Sequence, residues 1–254
     1  MTVSYRLPRD RGTPTVLAED RAVASITPGS LRASASTDRF GDLRIVDVPP
    51  YRDLAAFDDR ARSYDQGWRG RLHHVISDRT AALATATVAA PQHVLDVGCG
   101  TGHLLRALAG HYPEARALTG IDAAPNMIET AERITDDKRL TFATGVAEHL
   151  PYDDASMDLV VSSTSFDHWS DQGAGLAECA RVLRPGGHLV LVDQFSRWLI
   201  PTLAVSRRGK ARTRGRAGRL LDRAGFDRPE WHNVCAIIIN GAVARLPSNG
   251  VVQP

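Results

Sequence analysis

Cysteine is scarce in this chain. Cys99, Cys179 and Cys235 lie far apart, which excludes both a CxxC metal or redox pair and the dense disulfide framework of a small secreted domain. No stretch reaches the roughly 18–20 apolar residues of a membrane-spanning helix, and the N-terminus has no apolar core of signal-peptide length. A soluble protein of the cytoplasm, without a membrane partner, is the expectation. There is no internal repeat and no strong low-complexity tract, so no repeat architecture is indicated. Net charge is also small, at +2, but it is unevenly spread. Arg207, Arg208, Lys210, Arg212, Arg214, Arg216 and Arg219 form a basic run with no acid between them. Such a run can attract phosphate or another anion; charge runs are also commonly the solvated face of a loop or helix.

What is present fits one substantial core. The chain has 254 residues, of which 43% are hydrophobic and 24% charged, close to ordinary globular usage. Residues 1–40 mix Pro, Gly, Ser, Thr and Arg without a sustained period, and a loosely ordered arm is expected over 1–50. From Tyr51, apolar residues recur at helical spacing (Leu54, Phe57, Ala61, Tyr64); Gly67 interrupts, and the pattern resumes over 72–88. Two helices are therefore expected within 51–90. After Pro91 the text alternates strand and helix: strands at 93–97, 117–121, 140–144, 157–163 and 188–192, helices at 104–109, 126–134 and 176–183. This alternation indicates right-handed crossovers and a mainly parallel sheet. A helix over 216–224 and a closing strand pair at 230–234 and 236–244 complete a core over 91–254.

The strongest local signal is VLDVGCGTGHL, Val94–Leu104: an apolar strand, the acid Asp96, then Gly98, Gly100 and Gly102 opening a helix. A glycine turn at a helix N-terminus lets backbone N–H groups approach a ligand, with the helix dipole behind them. A dinucleotide site wants a third small residue where His103 stands, which disfavours NAD or FAD.

This segment closely resembles motif I of the class I S-adenosylmethionine (SAM) methyltransferases. The resemblance runs over 57–244, and it implies an α/β, Rossmann-like fold: a seven-stranded, mostly parallel sheet with helices on both faces, an antiparallel final strand and an N-terminal helical lid. It implies SAM as cofactor, wrapped at its methionine end by Asp96, Gly98, Cys99, Gly100 and Gly102. Asp122, in LTGIDAAPNMIETA, falls where relatives hold the ribose hydroxyls, with Ala123 beside it and Met127 near adenine. Many relatives carry an Asp where Val146 stands, so adenine must be held by backbone, by the Ala147 N–H, or by Glu148. LRPGGHLVLVD (183–193) resembles the turn and fifth strand of the family. The segment AAFDDRARSYDQGWRGRLHHVI resembles the leading helices of the ubiquinone/menaquinone-biosynthesis type, which cover the cofactor and make Tyr64 and Trp68 lid contacts. Ser163 and SSTSFDHW end the fourth core strand, with Asp167 and His168 where relatives of this subgroup often carry a His-His pair. His168 is a candidate general base; the lid histidines His73 and His74 are its competitors.

The acceptor is narrowed by what is missing. No NPPY-like tetrapeptide ends the fourth core strand, no Pro-Cys nucleophile is present, and no obvious carboxylate set suggests a metal site. Methylation of DNA is therefore disfavoured, metal dependence is not indicated, and a small organic metabolite with an oxygen, nitrogen or activated carbon nucleophile is favoured. The alternatives are an RNA or protein methyltransferase docking through the basic run, or a SAM-binding protein without catalysis. Oligomeric state is not legible.

Overall fold

The computed structural model describes residues 33–37, 43–47, 54–195, 213–236 and 238–248. Within the stretch expected to be a loose arm, β1 (Ala33–Thr37) and β2 (Leu43–Asp47) pair antiparallel, Ala33 opposite Asp47 and Thr37 opposite Leu43.

The core alternates as its text does. It comprises β3 (His93–Val97), α3 (His103–His111), β4 (Ala117–Asp122), α4 (Pro125–Arg133), β5 (Leu140–Thr144), β6 (Met157–Ser163), α5 (Gln172–Val182), β7 (Leu183–Gln194), α6 (Arg214–Arg223), β8 (Glu230–Cys235) and β9 (Ile239–Arg245). Among the described residues seven strands make one sheet in the order β5-β4-β3-β6-β7-β9-β8. The pairs from β5 to β7 are parallel, while β9 runs antiparallel to both β7 and β8. The fold is the Rossmann-like arrangement expected from the sequence.

Both faces of the sheet are covered, and the strands show it residue by residue. Leu95, Val160, Leu189 and Leu191 pack with Leu176 and Cys179 of α5 and Leu221 of α6. The alternate residues Val94, Leu159, Val161, Val190 and Val192 pack on the other side with Leu104, Leu105 and Leu108 of α3. The period of two fixes which side chains meet which helix layer. Capping follows ordinary chemistry: Asp171 accepts from the Gly173 and Ala174 N–H groups at the start of α5, and Pro125 opens α4.

Ahead of the core lie α1 (Leu54–Arg60), a 3-10 turn (Ala61–Ser63) and α2 (Gly67–Thr87). Helix α2 begins at Gly67, five residues earlier than the sequence pattern suggests. The tight bend before it depends on Gly70, where a Cβ would stand 2.2 Å from the Asp65 carbonyl carbon. Leu54, Phe57 and Tyr64 pack against Ala61, Ala124 and Met127, and Asp58 accepts from the Asn126 backbone N–H (2.8 Å) and side-chain amide (2.9 Å). Asp58 thus supplies an anion at the N-terminus of α4, where the helix dipole favours one. Helix α1 and the 3-10 turn rest on that small apolar contact and a few polar bonds, the profile of a segment that opens locally before the core does, whereas α2 buries Ile76, Ala81 and Ala84 against α3 and the sheet.

In the parallel part of the sheet the strand order reverses between β3 and β6. A crevice opens at the C-terminal ends of strands at such a point.

Candidate active site

Beyond β3 the chain turns through Gly98 (φ +78°) and Gly100 (φ +53°), both in the left-handed region open to glycine. The two glycines answer different demands. A Cβ on Gly98 would lie 2.3 Å from the Ser165 side chain, whereas a Cβ on Gly100 would meet nothing within 4 Å. Gly98 is a packing requirement; Gly100 borders open space. Gly102, the residue before α3, is packed beneath Phe142 and lines neither cavity described below.

Two carboxylates flank this turn. Asp122, at the end of β4, accepts from the Gly100 N–H (2.9 Å) through one oxygen and the Ala124 N–H (2.9 Å) through the other. A carboxylate has about four lone-pair sites, so capacity remains for a ligand. Burial raises its pKa, while the two backbone N–H groups oppose the shift. Asp96 is 1% exposed, and neither of its oxygens has a hydrogen-bond partner among the described residues. Burial, with the Asp122 charge adding to it, pushes Asp96 up to about 8. An unpaired buried carboxylate is costly unless a cation or donor joins it.

A cleft of about 700 Å³ lies over the turn, walled by Phe57 and Tyr64 from the leading helices, Asp122 and Met127, and Ser163 and His168. A second cavity of about 410 Å³ adjoins it and holds Asp96, Cys99, Thr101, His73 and His74. Between α2 and α3 there is a polar cluster. Asp65 accepts from the Thr101 hydroxyl (3.1 Å) and pairs with His74 Nε2 (2.9 Å). His103 pairs with Asp78 (2.9 Å), and the His74 and His103 rings stack at 3.9 Å. His73 lies against Tyr64, ring centroids 5.1 Å apart, and burial lowers its pKa, with His74 next in effect.

After β6, Thr164 (φ +54°) turns the chain into a 3-10 turn, Phe166–His168. The Ser165 hydroxyl donates to the Val97 carbonyl (2.9 Å), clipping the ends of β3 and β6 together. The buried Asp193 carboxylate accepts from the Asp167 N–H (3.0 Å), which anchors the turn to β7. His168 meets the edge of Phe57, centroids 4.9 Å apart.

The structure brings most of the sequence-derived residues together. Gly98, Gly100, Asp122, Ala123, Met127, Ala147, Ser163, Tyr64 and His168 line the larger cleft, and Asp96, Cys99 and His73 line the second. Trp68 does not join them: it is 65% exposed, with the Arg69 guanidinium 5.4 Å from its ring, and lines neither cavity. Asp167 is also outside the lining of both, as is Gly102. Glu148 accepts from the Asp171 N–H (2.9 Å) and so braces the start of α5, while Val146 is buried. Of the basic run, residues 207–212 lie outside the described residues; Arg214 donates to Asn240 (2.6 Å) and sits over Trp231. Asp65, Thr101, Ser165 and Asp193 were not legible as site residues, because each acts through a partner distant in sequence.

The family model for the methyltransferase domain matches residues 95–191, from β3 to β7. Over that stretch this chain is similar to the family. It is 34% identical over 161 residues to a malonyl-[acyl-carrier protein] O-methyltransferase of Hahella chejuensis, covering 63% of this chain and 56% of that protein. It is 39% identical over 131 residues to a demethylmenaquinone methyltransferase of Deinococcus radiodurans, covering 51% of this chain and 50% of that one. The chain thus spans about half the length of the curated relatives it matches. A SAM-dependent methyltransferase from Aquifex aeolicus shares the fold, with a TM-score of 0.57 at 19% identity over 74% of this chain and 98% of that one. No described helix is long and apolar enough to cross a membrane.

Proposed function

We propose that this chain is a SAM-dependent methyltransferase that methylates an oxygen, nitrogen or activated carbon of a small organic acceptor. The observation that carries the reading is the placing of Asp122 and Asp96 in adjoining cavities on either side of the Gly98–Gly100 turn. The residues fit a zwitterionic nucleoside. Asp122 has spare acceptor capacity for ribose hydroxyls, and Asp96 is a buried carboxylate in want of an ammonium. Gly100 leaves room for close backbone approach. Met127 and Ala147 offer an apolar slot for adenine; with valine at 146, backbone groups take the place of the usual acid.

When bound, SAM supplies a methyl group on a cationic sulfur that leaves as a neutral thioether. The chain's own work is then to align the acceptor, exclude water and, where needed, accept a proton. The leading helices close over the cleft through Phe57 and Tyr64. His168, steadied by Phe57 and by the Asp193-anchored turn, is the proposed proton acceptor, with His73 as the competing base. The two named relatives, a malonyl-[acyl-carrier protein] O-methyltransferase and a demethylmenaquinone methyltransferase, support an organic acceptor. Docking of RNA or protein through the basic run has less support, since the Arg214 guanidinium is already engaged by Asn240 and Trp231.

Titration calorimetry with SAM tests the reading. Wild-type protein is expected to bind, and Asp122→Ala to lose about 1.5–3 kcal/mol, the range for hydrogen bonds to a charged group. Equal affinity in that variant would remove the ribose assignment. Once an acceptor is found by screening small molecules, RNA and protein, His168→Ala should lower turnover at least about a hundredfold near neutral pH with little change in SAM affinity. Near-normal turnover in His168→Ala and in His73→Ala would leave proximity and orientation as the whole mechanism.

A further inference from the structure

The two cavities meet at five residues, Tyr64, Gly98, Gly100, Ser163 and Thr164, which line both. Asp122 lines only the larger and Asp96 only the smaller. On the cofactor reading above, the nucleoside end belongs with Asp122 and the amino-acid end with Asp96. The sulfur is the atom that joins those ends, so it belongs where the cavities meet. Of the residues there, the glycines offer backbone, and the Ser163 hydroxyl is within 3.3 Å of the Thr80 hydroxyl on α2. Thr164 gives its N–H to the Val192 carbonyl (2.8 Å). Tyr64 alone of the five comes from the leading helices.

We propose that the Tyr64 hydroxyl faces the sulfonium and the methyl group it carries, and that it holds the cationic cofactor in preference to the neutral product. The inference rests on the SAM reading and deepens it. Tyr64 feels one carboxylate from each cavity: burial raises its pKa to about 12, and the charges of Asp122 and Asp65 add to the rise. The phenol therefore stays neutral, and its oxygen offers a lone pair to a cation without the desolvation penalty of a buried anion. Its ring is held between His73 (5.1 Å) and Phe57 (6.3 Å), so the aromatic plane is set before a ligand arrives. An oxygen beside a sulfonium attracts both the charge and the polarised methyl hydrogens. After methyl transfer the sulfur is neutral and that attraction lapses, which eases product release.

Tyr64→Phe tests this because it keeps the ring contacts and removes only the hydroxyl. Calorimetry would compare three ligands: SAM, its thioether product S-adenosylhomocysteine, and sinefungin, in which a carbon bearing an ammonium group replaces the methyl-bearing sulfonium. Weak C–H···O contacts contribute about 0.5–1 kcal/mol, so SAM should weaken about two- to fivefold. Sinefungin loses a hydrogen bond from a charged donor and should weaken about tenfold or more. The product should bind within about twofold of wild type, and the melting temperature should be preserved. Equal loss for all three ligands, or none for any, would overturn the inference while leaving the cofactor reading intact. A wild-type protein that binds none of the three overturns both.

Discussion

Asp96→Asn is expected to raise the melting temperature of the free protein at pH 8 and, in the same variant, to weaken SAM binding severely. The two effects have one cause. The Asp96 carboxyl is buried without a partner among the described residues, and its pKa stands at about 8 in the fold against about 3.9 in an unfolded chain. Between those values the folded state holds a proton that the unfolded state has lost. Stability therefore falls as pH rises from about 4 to about 8, at up to about 1.4 kcal/mol per pH unit. The penalty is absent below the unfolded pKa and complete above the folded one. An amide cannot ionise, so the variant should match wild type near pH 4 and exceed it at pH 8. For a chain of this size a gain of 1 kcal/mol is about 2–4 °C. SAM binding should move the other way, by about 3–5 kcal/mol, as when one partner of a buried ion pair is removed. Binding to wild type near neutral pH should also release a proton as Asp96 ionises against the ammonium. Calorimetry in two buffers of different ionisation enthalpy reads that proton directly. Parallel pH–stability curves for the two proteins would refute the account.

Gly100→Val is expected to abolish detectable SAM binding while the protein still folds. A Cβ at Gly100 meets no protein atom within 4 Å, so the variant has no clash of its own to relieve. Its cost to the fold is backbone strain at φ +53°, about 1–2 kcal/mol for a residue with a Cβ and somewhat more for a branched one. That is a few degrees of melting temperature. The side chain instead fills the space a ligand needs against the Gly100 N–H. Gly98→Val makes the contrast, since its Cβ falls 2.3 Å from Ser165 and must disturb the junction of β3 and β6. Reduced folding in the second variant and lost binding in the first would separate packing from ligand approach. Intact binding in Gly100→Val would count against the family's cofactor being used here.

The core was legible because its signals are local. Each parallel strand is a short apolar run closed by a turn, and Asp122 ends the second of them, so its place at the crevice follows from sheet geometry alone. The leading helices were less legible because hydrophobicity there points the wrong way. In α2 Ile76 is buried, but so are the small residues Thr80, Ala81 and Ala84, while Trp68, Leu72 and Val75 are 65%, 43% and 42% exposed. An aromatic beside a cofactor motif looks like a lid contact, yet the orientation of α2 is set by its packing on α3 and β7. Gly70 reads as an ordinary helix weakness and is in fact demanded by the Asp65 backbone. Asp65 itself, joined to Thr101 36 residues away, leaves no pattern in a single sequence. Glu148 shows the converse: an acid at a plausible adenine position is engaged with the Asp171 N–H.

The placement of β9 has a consequence for synthesis. It pairs with β7 along its whole length, from His188 opposite Arg245 to Gln194 opposite Ile239, yet it follows every other strand of the sheet in the chain. During translation β7 therefore presents an open edge, with Leu189, Val190, Leu191 and Val192 flanking unpaired backbone, until β8, the turn and β9 have been made. Unpaired apolar edges recruit other chains. A chain cut just short of Ile239 would carry the Gly98–Gly100 turn with its sheet edge still adhesive, an obvious client for a chaperone.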